Sequence, residues 1–136
     1  MGRLDGKVAI VTGGGSGIGK GAVELFVAEG ARVIVADTNS DAICALIGQL
    51  GHNYVDGAEV DVRDEGAVQR MVAQAVRRFG RLDIAVNNAG VGGFSPIQEY
   101  SLEDWDRVLG ISLTGTFLCI KHEAKHLIGQ GTGGSI

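Results

Sequence analysis

Four short apolar runs, each followed by a stretch with helical spacing, leave this chain very few ways to fold. Val8–Thr12, Arg32–Asp37, 53–60 and 82–87 are brief, bounded by turn residues and mostly apolar, and therefore read as strands. Helical patterns follow at about 17–29, 40–50 and 64–79. The third is the cleanest, with Ala67, Val68, Met71, Val72, Ala75, Val76 and Phe79 on one stripe, Asp64 placed to cap its start and Gly80 to end it. A fourth helix is expected from Ser101, with Asp104 completing a weak capping box, to about Ile128, ended by Gly129. Strands without polar alternation, joined by crossover helices, imply a parallel sheet covered on both faces. The expected fold is an α/β, Rossmann-like doubly wound sheet of strand order 3-2-1-4, one domain over residues 1–136. It is cut short where Gly133-Gly134-Ser135-Ile136 begins a fifth strand.

Composition narrows the function classes. With 12 basic against 16 acidic residues, the net charge of −4 argues against a nucleic-acid footprint. No run approaches the roughly 18 apolar residues of a membrane span, and no signal region opens the chain, so a cytoplasmic location is expected. Cys44 and Cys119 each lie in an apolar helical stretch and read as reduced core residues rather than a disulfide.

The chemistry begins at the first strand–helix turn, Thr12-Gly13-Gly14-Gly15-Ser16-Gly17-Ile18-Gly19. Glycines let backbone N–H groups approach an anion, and a helix N-terminus adds its positive end. Thr12, Gly13, Gly15, Ser16, Gly17, Ile18 and Gly19 are therefore the expected phosphate cradle. A Walker A reading fails because Gly21, not Ser or Thr, follows Lys20, leaving no hydroxyl for Mg²⁺. The dinucleotide reading succeeds: Asp37 ends the second strand, near the spacing of about 20 residues at which an acidic group meets the adenosine ribose. A carboxylate repels a 2′-phosphate, and no Arg or Lys stands at residues 13–16 or 38, so NAD(H) is expected over NADP(H).

The spacing Thr12-Gly13-x-x-x-Gly17-Ile18-Gly19 resembles the cofactor motif of the short-chain dehydrogenase/reductase family. Asp61-Val62 and Asn87-Asn88-Ala89-Gly90 match further family motifs in register. The resemblance covers the whole chain but only the first half of such an enzyme. It implies that Asp61 bonds the adenine amino group, that Val62 flanks the ring, and that Asn88, Ala89 and Gly90 lie against a cofactor ribose. Asn87 would tie strand ends together. It further implies a hydride-transferring oxidoreductase acting on a small alcohol or carbonyl, homo-oligomeric (a dimer or tetramer) at full length. The family's acid–base pair, Tyr with Lys four residues on, is not found at Tyr54 or Tyr100, so the chain alone is expected to be inactive. Ser112 stands where the family usually has an Asn that bends the helix and supports a relay water; its hydroxyl can hold a water too.

Two other readings compete. One is a non-catalytic dinucleotide-binding module. The other is a zinc peptidase, since His122-Glu123-Ala124-Lys125-His126 matches H-E-x-x-H, although the third His of the extended pattern is absent at Thr132. A polar, solvated helix face is the plainer account of that segment, and no metal site is expected.

Overall fold

A computed structural model describes residues 2–136. Its core is a four-stranded parallel sheet of order β3-β2-β1-β4, built from β1 (Val8–Thr12), β2 (Arg32–Asp37), β3 (Val55–Glu59) and β4 (Ile84–Asn87). The strands lack polar alternation because the sheet is buried on both faces. Ile10 and Ile34 point into a layer shared with Val68, Met71 and Leu118. Their neighbours Ala9, Val11, Val33 and Val35 point into an opposite layer with Val23, Ile43 and Leu46. Beyond β4, Ser135 pairs in parallel with Ile84, its N–H donating to the Asp83 carbonyl at 2.9 Å. The expected fifth strand thus starts at the outer edge of β4.

Among the described residues five α-helices connect and cover the sheet: α1 (Gly17–Ala28), α2 (Ser40–Leu50), α3 (Glu65–Phe79), α4 (Leu102–Leu109) and α5 (Thr116–Gln130). The helix expected over 64–79 forms as α3. Asp64 accepts from the Ala67 N–H at 3.0 Å, and Gly80 ends the helix in the left-handed region at φ 87°. Replacing Asp64 by Ala should lower the unfolding free energy by about 1 kcal/mol in urea titrations, since it strips one orphan N–H of its acceptor.

Two expectations are corrected. The single helix over 101–128 is instead α4, a π-helical segment at Gly110–Gly115, and α5. In that segment the ladder slips by one residue, and the Thr116 hydroxyl donates to the Ser112 carbonyl at 2.8 Å. Gly129 stays helical and Gly131, at φ 74°, is the residue that stops α5. Cys119 is buried as expected, but Cys44 is exposed: α2 turns Ile43 and Leu46 inward, and the intervening position faces solvent.

Candidate functional site

The site lies outside the carboxyl ends of the strands, beside β1, where β2 and β3 are added on one side and β4 on the other. This is where doubly wound sheets open a crevice. β1 ends at Thr12, and the chain turns through Gly13 (φ 63°) to enter α1 at Gly17 (φ 53°). Thr12 is fully buried. Its hydroxyl accepts from the Ala89 N–H at 3.0 Å and donates to the Val86 carbonyl at 3.4 Å. Asn88 Nδ2 donates to the carbonyls of Thr12 and Gly13, at 3.2 and 3.3 Å. The loops after β1 and β4 are thereby latched together. Gly19 sits directly beneath the turn, where a Cβ would overlap the Gly13 carbonyl oxygen.

Ser16 precedes α1 in an extended conformation, and its side chain makes no capping bond. The first N–H groups of α1 are therefore left without a side-chain acceptor, the arrangement that receives an anion. Across the turn, Asp37 at the end of β2 is held at both oxygens. Gly15 N–H donates to Oδ2 at 2.9 Å, and Asn39 N–H donates to Oδ1 at 3.0 Å. At the end of β3, Arg63 grips Asp61 with its Nη2 at 2.6 Å and Nε at 3.0 and 3.1 Å. Those hydrogen bonds, ahead of the charge attraction, hold the Asp61 carboxyl below the usual carboxylate range.

A cleft of about 520 Å³ joins these groups. Among the expected residues, Gly13, Ser16, Gly17, Ile18, Asp37, Asp61, Val62, Asn88, Ala89 and Gly90 line it. Thr12, Gly15 and Gly19 stand behind that wall and shape it. Ser112 stands on the π-helical segment and reaches across to the β4 loop, accepting from the Val91 N–H and donating to the Val91 carbonyl, each at 3.2 Å. Arg63 lines the cleft without having been singled out in the sequence. Its signal was a cation two residues after Asp61, at the first turn past a strand. Thr38, Val60, Val91 and Ile111 complete the lining and carry no chemical signature of their own.

The short chain dehydrogenase family model matches residues 7–136. The chain belongs to this family. It is similar to D-threitol dehydrogenase of Mycolicibacterium smegmatis, 43% identical over 133 residues that cover 96% of this chain and 51% of that protein. It is 45% identical to 2,5-dichloro-2,5-cyclohexadiene-1,4-diol dehydrogenase of Sphingobium indicum, over 100% of this chain and 54% of that one. The crystal structure of a 3-ketoacyl-(acyl-carrier-protein) reductase from Brucella melitensis complexed with NADH superposes with a TM-score of 0.91. That match has 32% identity and covers 95% of this chain and 53% of the reductase. The chain thus spans about half the length of the relatives it matches.

In this chain the H-E-x-x-H residues diverge instead of converging. His122 Nε2 meets Glu65 Oε1 at 2.8 Å, and His126 Nε2 meets Gln130 Oε1 at 3.1 Å. Among the described residues, no three His, Cys, Asp or Glu side chains gather to hold a metal ion. The expected solvated face needs correcting at its centre, because Glu123 is fully buried. It turns inward to accept from Asn87 Nδ2 at 2.7 Å. Asn87 was expected to tie strand ends together. It joins β4 to α5 instead, and Asn88 makes the tie between the β1 and β4 ends. Among the described residues no helix is long and apolar enough to cross a membrane.

Proposed function

We propose that the protein at its natural length is an NAD(H)-dependent oxidoreductase, moving hydride between nicotinamide and a small alcohol or its carbonyl. The observation that supports this most is the pairing of an uncapped helix start at Ser16–Gly17 with the immobilised carboxylate of Asp37 across one cleft. The α1 N–H groups would hold the pyrophosphate, Asp37 the adenosine ribose, Asp61 and Val62 the adenine, and Asn88–Gly90 the second ribose. Bound there, a nicotinamide dinucleotide would supply the hydride acceptor or donor. Residues 1–136 form the cofactor-binding domain in this reading. We place the proton-transfer groups in the half of the relatives' length that this chain does not span, with Ser112 steadying the β4 loop near them through Val91. Relatives named for D-threitol and for a cyclohexadienediol support a small polyhydroxylated substrate.

Asp37 decides the dinucleotide. Each of its oxygens spends one lone pair on a backbone N–H and keeps another for a ribose hydroxyl, so its charge stays aimed at the place a 2′-phosphate would occupy. The Asp37→Ala protein should bind NADH on the order of tenfold more weakly, by fluorescence titration, while NADPH affinity holds or improves. If NADPH gained little or nothing relative to NADH, the assignment of NAD(H) would be wrong.

A further inference from the structure

Glu123 and Asn87 form a buried polar pair between α5 and β4 that the cofactor reading leaves unexplained. Asn87 Nδ2 donates to Glu123 Oε2, which satisfies one corner of two planar groups. The other corner is unsatisfied: Asn87 Oδ1 and Glu123 Oε1 are both buried without a partner among the described residues. An ionised glutamate cannot mend this, because both orphans are then acceptors. Turning the amide over does not help either, since it only sets an acceptor against the oxygen that is now served. A single proton on the carboxyl turns Glu123 Oε1 from a second acceptor into a donor, the group that Asn87 Oδ1 lacks.

We propose that Glu123 is protonated in the folded protein and grips Asn87 through two hydrogen bonds, the acid O–H donating to Asn87 Oδ1 while Asn87 Nδ2 donates to Glu123 Oε2. Asn87 is the last residue of β4, directly before Asn88-Ala89-Gly90 at the cleft. Glu123 is therefore a positioning residue for that turn, and this second half of the inference rests on the cofactor reading above. The surroundings suit a neutral acid. The face of α3 that packs with α5 carries the apolar Val68, Met71 and Val72, clustered with Leu118, Cys119 and Leu127, and β4 brings only Asn87 as a polar group. Glu65 of α3 is engaged by Lys121 and His122 near the surface, and His126 turns to Gln130. Lys125 does not bond to it. Cys119, a turn earlier on α5, is a titratable neighbour, and burial pushes its thiol up to about 12, with Glu123 adding to the effect.

Burial also raises the Glu123 carboxyl above its ordinary value of 4.5. The pair therefore stabilises fully below that pH, and its contribution is lost as pH rises through the higher folded-state value. Infrared difference spectra of the natural-length protein against Glu123→Gln at pH 7 read the proton directly. The wild type should show a protonated-carboxyl C=O band that the variant lacks; carboxylate bands in its place would overturn the proposal. A carboxyl ¹³C titration of the wild type reads the same proton without any variant, and overturns the proposal if every glutamate has ionised by pH 7.

Glutamine keeps both hydrogen bonds without a titrating proton. NADH affinity of Glu123→Gln should therefore stay within about twofold of wild type and be flat with pH. Wild-type affinity should weaken at alkaline pH, and Glu123→Leu should lose on the order of tenfold. Unchanged affinity in Glu123→Leu, or an equal pH profile in Glu123→Gln, would sink the positioning role. Failure of the wild type itself to bind NADH or NADPH would instead overturn the cofactor reading, with the infrared band still deciding the proton.

Discussion

Replacing Gly19 by alanine should abolish measurable dinucleotide binding, a loss on the order of a hundredfold or more, and lower the unfolding free energy by about 1–3 kcal/mol. The added Cβ would overlap the Gly13 carbonyl oxygen, and its next neighbour, 2.6 Å away, would be Asn88 Nδ2. Neither can step aside cheaply. Gly13 is held at positive φ, and its carbonyl is one of the two that Asn88 grips. Moving the turn therefore breaks the latch between the β1 and β4 loops and tilts the start of α1, where the anion would sit. Gly21 lies two residues on in the same helix and is the control. A Cβ there meets nothing within 4 Å, so Gly21→Ala should gain about 1 kcal/mol from helix propensity and bind NADH normally. Titrating both variants with NADH, and unfolding both in urea, separates close packing from general damage to α1. Normal binding by Gly19→Ala would remove the packing argument.

The same turn shows how far the sequence could be read. Strands buried on both faces and an amphipathic α3 with Asp64 and Gly80 at its ends follow from local pattern, so the order of elements and the sheet topology were legible. Helix 101–128 was not. No proline interrupts residues 110–115, and a ladder slip of one residue needs none. Cys44 was misplaced for a related reason, because apolar neighbours on both sides do not reveal which way a helix is turned. At the site, Asp37 could be found because a carboxylate at a strand end is conspicuous in an apolar run. Glu123 was hidden by its company. Flanked by His122, Ala124, Lys125 and His126, it reads as part of a charged face, and only the packing of α5 against β4 shows it to be buried.

Ile10→Ala should be the most destabilising truncation in the sheet, costing about 2–5 kcal/mol. Ile10 is fully buried at the centre of β1, one of the two strands flanked on both sides, opposite Ile34 of β2 and Ala85 of β4. Its side chain enters the layer filled by α3 and α5, and a parallel sheet pinned by two ladders cannot close over the lost volume. Ile10→Val, which removes one methylene, should cost only about 0.5–1.5 kcal/mol. The urea midpoint should fall in that order while the slope of the transition stays constant. Ile18 provides the opposite case. It is 85% exposed and lines the cleft. Ile18→Ala should leave stability within about 0.5 kcal/mol of wild type and yet weaken NADH binding. If Ile10→Ala cost no more than Ile10→Val, the Ile10 side chain would not be packed in the buried layer. If Ile18→Ala shifted the midpoint as far as Ile10→Ala, the cleft wall would belong to the core and not to the ligand.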